Sequence, residues 1–287
     1  MGPTSATDVF SPDPDRRAAS VRYDAERLYF ADGTRLPAWR DVPVETPITI
    51  VFAPIPFAVM VASPQDLEDF ATGFSFTEGV IDSIDDIRSI AVDEGEEGLK
   101  LIVALASDKL QRHLARGRNL AGRTGCGLCG IGDLDALPRA AMVPGNPVDL
   151  RIDAIRRALD QLPERQKLNA VTGAVHAAAW CRLDGRIAAI REDVGRHNAL
   201  DKLVGHLLRQ RTDPLNGFLV ITSRCSFEMV EKAAAFGARA LVAISAPTSL
   251  AIERARSYGI TLVAIARRDG ALVFNGAAHV IAGSGSG

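Results

Sequence analysis

The strongest hydrophobic pattern lies in the last third of the chain, where three short apolar runs alternate with segments of helical periodicity. The runs cover residues 217–223, 240–245 and 260–266, and the helical segments begin near Ser226 and Thr248. Apolar strands separated by helices predict a parallel sheet with right-handed crossovers. Ligands bind such sheets at the carboxyl ends of the strands. We therefore expect a ligand site at this edge.

The residues at this edge are largely polar, and several are basic. Three arginines, together with the N-termini of two helices, favour the binding of phosphate oxygens. We call the set the strand-end rim; it comprises Ser223, Arg224, Cys225, Ser226, Ser245, Ala246, Pro247, Thr248, Arg267, Arg268, Asp269 and Gly270.

Upstream, the pattern predicts a smaller mixed region. Residues 48–62 favour two short strands. The order Ser63, Pro64, Asp66 is typical of a helix that starts with Ser63 as its cap. Leu67, Phe70 and Phe74 would form the buried face of that helix.

The middle of the chain is predicted to alternate strands and helices. A hairpin is indicated by Asp184-Gly185 between two apolar runs. Leucines at helical spacing from Leu200 to Leu208 predict a helix that begins in the polar string 192–198. The remaining predictions are a strand at 98–105, a short helix at 107–116 and a helix at about 150–161.

Composition narrows the class of protein. The chain has 287 residues, 47% of them hydrophobic, a formal net charge of −2 and four cysteines. This length can bury a core without disulfides, so one large domain or two small ones are expected in a reducing compartment. The near-neutral charge argues against a general nucleic-acid binder.

Neither end of the chain suggests a membrane segment or a targeting signal. Residues 1–20 are polar and contain prolines, which predicts a disordered lead-in. The most apolar stretch, 48–62, is too short to span a bilayer and contains prolines. Residues 282–287 are expected to form a flexible tail.

The sharpest local signal is the pair Cys126 and Cys129, which lies in a glycine-rich segment. Two thiols at this spacing suit a shared metal, a reversible disulfide or the transfer of a sulfane sulfur, and the spacing alone does not choose between them. Each chemistry needs a thiolate, whose pKa the exposed backbone N–H groups and Arg123 would lower.

Each alternative role for the Cys126–Cys129 pair requires further residues or a particular position in the chain. A structural zinc needs two further ligands, but no second Cys-X-X-Cys exists and Cys181 and Cys225 are isolated. A deaminase-type zinc site using His176 would need a glutamate where Ala178 stands. A thioredoxin-like pair would lie near the chain start. Simple packing of both thiols does not suit a glycine-rich loop.

Several motifs together resemble one known family. AGRTGCGLCG, TGAVHAAAW, EDVGRHNALDKLVG and SRCSFEMVEKAA occur in this order, and the resemblance extends over about residues 40–276. The family is that of the formate dehydrogenase accessory sulfurtransferases, of the FdhD type.

The resemblance implies an activity and its partners. Such cytoplasmic proteins take a persulfide sulfur from a cysteine desulfurase and pass it to the molybdenum or tungsten bis(molybdopterin guanine dinucleotide) cofactor, which formate dehydrogenase needs. They are usually homodimers, with no stoichiometric zinc, nucleic acid or membrane as partner, and GDP is expected to mimic the cofactor. The matching positions are Cys126 for the persulfide, Cys129 for its partner, and Ile265, Ala266, Arg267, Arg268, Asp269 and Gly270 for the cofactor.

The resemblance also implies a fold. It is α/β, with a cytidine-deaminase-like three-layer α/β core and a smaller α+β N-terminal domain. The expected divisions are a disordered lead-in at 1–20, the smaller region at 21–118, a mobile cysteine loop at 119–135, the deaminase-like domain at 136–281 and a tail at 282–287.

Several polar residues allow both a functional and a structural interpretation. His176 and His197 would orient substrate or shuttle a proton, or else bond to a helix end. Asp193 and Arg196 would serve the function or equally form a structural ion pair, and Cys225 is expected to be a small packed residue. For the protein, the two hypotheses are a sulfurtransferase and a non-catalytic chaperone that holds the cofactor.

Overall fold

A computed structural model describes residues 17–96, 98–109 and 147–282 of the chain. Cys126, Cys129, the tail from residue 283 and most of the helix predicted at 107–116 lie outside the described residues. The predicted lead-in ends before residue 20, because Ser20 already pairs with Pro43 in a strand. The described residues form two units of secondary structure that share one interface.

The N-terminal unit is a four-stranded sheet with one helix and a two-stranded ribbon. Both strands predicted in 48–62, and the strand at 98–105, are confirmed. The sheet has the order β4-β3-β6-β5, and the helix buries Leu67, Phe70 and Phe74 against it. The elements are β1 (Ser20–Leu28), β2 (Arg35–Pro43), β3 (Thr46–Phe52), β4 (Ile55–Ala62), α1 (Leu67–Thr77), β5 (Ile87–Gly95) and β6 (Gly98–Leu105).

The predicted start of α1 was wrong. The helix begins at Leu67, after Asp66, which has a positive φ of 53° and makes no capping bond. Ser63 is buried, its N–H donates to Asp193 Oδ2 over 2.9 Å, and its Oγ accepts from Val194 N–H over 3.2 Å. A serine that bonds to the other unit cannot cap its own helix.

The second unit contains a six-stranded mixed sheet. The predicted parallel arrangement is confirmed for β10, β11 and β12, and antiparallel β8 and β13 flank them on the two sides. The order is β13-β12-β11-β10-β8-β9. The strands are β7 (Leu150–Arg151), β8 (His176–Arg182), β9 (Ile187–Asp193), β10 (Gly217–Ile221), β11 (Ala240–Ala243), β12 (Thr261–Arg267), β13 (Gly270–Asn275) and β14 (Val280–Ile281), with β7 and β14 paired separately.

Helices cover both faces of this sheet, which gives the three layers expected. Phe218 and Val220 face α2, whereas Leu219 and Ile221 face the other three long helices. The hairpin at Asp184-Gly185 is confirmed between β8 and β9. The helices are α2 (Ile152–Arg165), α3 (Lys167–Thr172), α4 (Arg196–Arg209), α5 (Phe227–Phe236) and α6 (Ser249–Ser257).

The two units meet where α1 crosses α4, and small residues allow the close approach. A Cβ atom on Gly73 would lie 1.8 Å from the carbonyl oxygen of Asp201, and one on Gly205 would lie 1.9 Å from that of Asp69. The Asp69 carboxylate also accepts hydrogen bonds from Arg191 and Arg209 of the second unit. None of the helices in the described ranges is both long and apolar enough to cross a bilayer.

Candidate functional site

The sheet register brings the chemistry-bearing segments to one end of the second unit. Ile221 pairs with Ala243 and Val242 with Val263, so the carboxyl ends of β10, β11 and β12 are level. β8 runs in the opposite direction and therefore begins at the same end. Its first residue, His176, pairs with Asp193, the last residue of β9. The strand-end rim and the polar string 192–198 consequently share this end.

The loops after β10 and β11 form the first part of the rim. Ser223 is buried, and its hydroxyl donates to the carbonyl of Arg224 over 3.0 Å, while the Arg224 side chain is exposed. Cys225 N–H donates to the carbonyl of Ala246 over 3.1 Å, and Thr248 N–H donates to that of Cys225 over 3.0 Å. The two loops are therefore fixed to each other by their backbones.

The third part of the rim is irregular. Ile265 has a φ of +53°, and its N–H donates to the carbonyl of Ser245 over 3.2 Å. The pairing of β12 with β13 shifts register between Ala264 and Arg267, which indicates a bulge around the buried Ala266. A β-branched residue at positive φ is rare and costs about 1–3 kcal/mol unless its surroundings impose it. Such strain is common at ligand-binding segments.

A two-residue turn completes the rim. Arg267 pairs with Gly270, and Arg268 and Asp269 form the turn between β12 and β13. The side chains of Arg267, Arg268 and Asp269 are exposed. The structure thus brings these residues to the same end of the sheet as Ser223, Arg224 and Ser245.

The cysteines fall into two groups. Cys181 and Cys225 are buried free thiols, as expected for packed residues. Burial raises the pKa of both thiols, that of Cys225 to about 12, so neither is a nucleophile near neutral pH. Cys126 and Cys129 lie outside the described residues.

A pocket of about 410 Å³ opens between the two units at this same end. Its wall combines apolar residues of β4 and α1 with polar residues from the starts of β8, α4 and α5. It is lined by Val59, Met60, Val61, Phe74, Thr77, Glu78, His176, Val194, Gly195, Arg196, His197, Asn198, Asp201, Glu228, Glu231 and Lys232. Of these lining residues, the sequence singled out His176, Arg196 and His197 as candidate functional residues, and Asp193 precedes them in the chain beside Val194.

Glu228 and His197 lie beside each other in the wall of the pocket. His197 Nε2 lies 3.4 Å from Glu228 Oε2, which also accepts a hydrogen bond of 2.8 Å from Ser226 Oγ. Burial opposes ionisation of Glu228, but the interactions with His197 and Ser226 outweigh it and hold the pKa of this carboxyl below its ordinary value. Glu228 is therefore ionised at neutral pH.

His176 is the second histidine of the pocket. Burial lowers its pKa, and the nearby charge of Arg196 lowers it further. His176 is therefore mainly neutral at pH 7. Glu228 was missed by the sequence reasoning; its position in the first turn of a helix that follows a strand end is the signal that could have drawn attention to it.

Of the two interpretations of Asp193 and Arg196, the structural ion pair between them is not formed. Asp193 is fully buried and contacts Lys202 Nζ over 2.6 Å instead. Its Oδ1 accepts from Gly195 N–H over 2.7 Å and from Asn198 Nδ2 over 2.9 Å. Asp193 thus organises the start of α4, and the Arg196 side chain lines the pocket.

No metal site is found among the residues that the structure describes. Within them, no group of three or more histidine, cysteine or acidic side chains is placed to hold a metal ion. Because Cys126 and Cys129 are not among these residues, the expectation that zinc is absent stays a prediction.

Comparison with known proteins identifies similar chains. The model of the FdhD/NarQ family matches residues 43–281. A sulfur carrier protein FdhD of Xanthomonas euvesicatoria pv. vesicatoria is 47% identical over 234 residues, which are 82% of this chain and 83% of that protein. One of Cupriavidus necator is 45% identical over 82% of this chain and 81% of its own.

A solved structure has a similar fold. The crystal structure of a candidate formate dehydrogenase accessory protein from Desulfotalea psychrophila matches with a TM-score of 0.73 and 26% identity. The match covers 92% of this chain and 100% of the other.

Proposed function

Because the chain belongs to the FdhD/NarQ family, we propose that it carries sulfur for a formate dehydrogenase. The observation that carries this proposal is the family match, which extends from β2 almost to the end of the described chain. A sulfur carrier needs a reactive thiol. Since the described thiols are buried and protonated, the proposal assigns this role to Cys126 and Cys129.

Sulfur loading begins with the Cys126 thiolate. It attacks the outer sulfur of a persulfide on a cysteine desulfurase, so that the new S–S bond forms on Cys126 and the donor leaves as a thiolate. The proton of the donor persulfide stays with the transferred sulfur. No other oxidant is required, because the sulfane sulfur only changes its carrier.

Sulfur release uses the second cysteine. The Cys129 thiolate attacks the inner sulfur of the Cys126 persulfide, which forms a Cys126–Cys129 disulfide and expels the outer sulfur as hydrosulfide. The sulfane sulfur gains two electrons and the two thiols lose them. A thiol reductant must then reduce the disulfide before the next cycle.

The acceptor in this proposal is the bis(molybdopterin guanine dinucleotide) cofactor of formate dehydrogenase, handled as a substrate. Its diphosphates carry negative charge that arginines and helix N-termini bind. The exposed side chains of Arg224, Arg267 and Arg268 on the strand-end rim support this assignment. The homodimer and the desulfurase partner stay predictions of the family resemblance.

A persulfide assay tests the sulfur step. The full-length protein is incubated with a cysteine desulfurase and cysteine, re-isolated, and treated with cyanide, which releases sulfane sulfur as thiocyanate. We expect Cys126→Ala to load no sulfur above background. Cys129→Ala should load sulfur and yield thiocyanate with cyanide, but without cyanide it should release no hydrosulfide. Cys225→Ala is the matched control and should load normally, since its thiol is buried. Full loading of Cys126→Ala would contradict the proposal and favour a non-catalytic chaperone.

The role of the rim is tested by calorimetry with GDP. Removing both charges in Arg267→Gln/Arg268→Gln should weaken GDP binding by about 10-fold or more, because each charge-assisted bond contributes about 1.5–3 kcal/mol. Arg182→Gln is the matched control, since this exposed arginine ends β8 at the opposite end of the sheet. Equal affinities for the double variant and the control would remove the rim from the proposal.

A further inference from the structure

The pocket between the two units has one apolar side and one polar side. Val59, Val61 and Phe74 form the apolar side, and Arg196 and Glu228 belong to the polar side. Its volume of about 410 Å³ lies within the range of small-molecule sites, about 300–1,000 Å³. Such a shape suits a flat organic ligand better than a bare ion.

On the polar side, two of the buried atoms that make no hydrogen bond also have no ion-pair contact within the described residues, whereas His197 Nε2 lies 3.4 Å from Glu228 Oε2. Arg196 Nε and Glu228 Oε1 have no hydrogen bond to any residue within the described part of the chain. A buried polar atom without a hydrogen bond costs folding free energy, so such atoms are rare in native structures. Where one lines a pocket, a bound molecule commonly satisfies it. Both residues line the pocket, where a ligand would supply a partner.

The chemistry of the two atoms defines what the ligand must present. The guanidinium of Arg196 can only donate, and the ionised carboxylate of Glu228 can only accept. Glu228 Oε2 is already bonded to Ser226, so only Oε1 is free to accept. The ligand must therefore offer one hydrogen-bond acceptor and one N–H donor. Adjacent in a planar ring, these groups form a lactam edge, HN–C=O.

Other ligand classes fit less well. A phosphate group would be repelled by the ionised Glu228, which the pocket holds beside its basic residues. A metal ion would need at least three suitable ligands, and none of the described residues form such a group. A purely apolar ligand would leave Arg196 and Glu228 unsatisfied.

We propose that this pocket binds a planar oxo-heterocycle by its lactam edge, with Glu228 accepting from the ring N–H and Arg196 donating to the ring carbonyl. Guanine and pterin rings both carry this edge. The identity of the natural ligand rests on the proposed function, because the cofactor assigned above contains both rings. The lactam-binding site adjoins the strand-end rim, because Ser226 of the rim bonds to Glu228, but it needs no phosphate.

Calorimetry with uncharged ligands tests the edge itself. Inosine keeps the lactam edge, and 1-methylinosine differs from it only by a methyl group on the N–H donor. We expect inosine to bind at least about 10-fold more tightly than 1-methylinosine, as the loss of a hydrogen bond to a charged group requires. Guanosine and 6-hydroxymethylpterin, measured in the same way, show which of the two rings the pocket prefers.

Variants test whether Glu228 and Arg196 form the hydrogen bonds to the lactam group. Glu228→Gln should weaken inosine binding about 10-fold and reduce the penalty of the methyl group, which a merely structural role would not do. Arg196→Gln should also weaken inosine binding. Glu164→Gln, an exposed glutamate of α2, and Arg268→Gln of the rim are the matched controls and should bind inosine normally.

The outcomes separate this inference from the proposed function. Equal affinity for inosine and 1-methylinosine in the unaltered protein, or no binding of any of the four ligands, would overturn the lactam site even if Cys126 loads sulfur. Discrimination between the two nucleosides would support the lactam site even if Cys126 loads none. The comparison in the unaltered protein stays decisive if Glu228→Gln does not fold.

Discussion

At the scale of single residues, the buried pair of Asp193 and Lys202 joins the second unit to Ser63 of the first. Both side chains are 0% exposed, and Lys202 Nζ also donates to the carbonyl of Ser63 over 2.8 Å. Asn198, which Asp193 orients, donates to the carbonyl of Val61 over 2.8 Å. One buried ion pair thus fixes the start of α4 and the end of β4 together.

Lys202→Met should destabilise the protein by about 3–5 kcal/mol, because removing one partner leaves the Asp193 carboxylate buried without its counter-charge. Urea unfolding measures this loss. Lys100→Met, at an exposed position of β6, is the matched control and should change the free energy of unfolding by less than about 0.5 kcal/mol. Similar midpoints for the two variants would show that the pair does not stabilise the fold.

The sequence indicated the importance of the string 192–198 but not its pairing. Asp193 and Arg196 are three residues apart, a spacing that favours an ion pair only where both belong to a helix. Asp193 precedes α4 and accepts hydrogen bonds from the residues that start it. The true partner, Lys202, was not recognised because nothing in a local pattern shows that a helical lysine is buried.

At the scale of elements, the crossing of α1 and α4 depends on two glycines. The backbone of each helix occupies the space where the Cβ of the other would lie. Larger residues at these positions would force the helices apart, and with them the walls of the pocket.

Gly73→Ala should destabilise the protein by about 1–3 kcal/mol or more, since a Cβ atom 1.8 Å from the Asp201 carbonyl requires the backbone to move. Thermal unfolding followed by circular dichroism measures the effect. Gly95→Ala provides the comparison, because its Cβ would make only an ordinary contact of 3.5 Å. An unchanged unfolding temperature for Gly73→Ala would mean that the helices are not closely packed in solution.

The elements of the second unit could largely be predicted, because strands buried on both faces are short continuous apolar runs and the helices between them have a clear helical period. The antiparallel β8 and β13 were not placed in the sheet, since pairing between distant segments has no local signal. The start of α1 was misjudged for a related reason. The Ser63 hydroxyl meets a residue of the other unit, and this contact competes with capping.

At the scale of the whole molecule, the two units are joined by packing, buried ions and a shared pocket. Such an interface favours unfolding as one cooperative transition. Trp180 is buried in β8 at 2% exposure, whereas Trp39 of the ribbon is 58% exposed. With Trp39 replaced, Trp180 is the only tryptophan and reports on the second unit alone.

In Trp39→Phe, the urea transition seen by Trp180 fluorescence should coincide with that seen by far-ultraviolet circular dichroism, which averages over both units. Coincidence is expected because Asp193, Asp69 and Gly73 couple the units. Two separated midpoints would show that the units unfold independently. The positive control is the double variant Trp39→Phe/Lys202→Met, in which the interface is weakened. Its fluorescence and circular dichroism midpoints should differ.

The strand-end rim is the part of the candidate site that could be predicted from the sequence, because it follows from the topology of the sheet. The strand-end rim lies where the carboxyl ends of β10, β11 and β12 meet, as the alternation of strands and helices indicated. The pocket could not be predicted, because Val59 and Val61 come from one unit and Arg196 and Glu228 from the other. The packing of α1 on α4 and the bonds from Asn198 and Lys202 to the end of β4 bring them together.

The strained backbone at Ile265 has a consequence for protein engineering. A screen that rewards thermal stability would favour glycine or asparagine at this position, because both residues adopt positive φ with little cost. Such variants would tolerate heat better while loosening the segment proposed to contact the cofactor. At residue 265, selection for robustness and selection for sulfur delivery would therefore choose different amino acids.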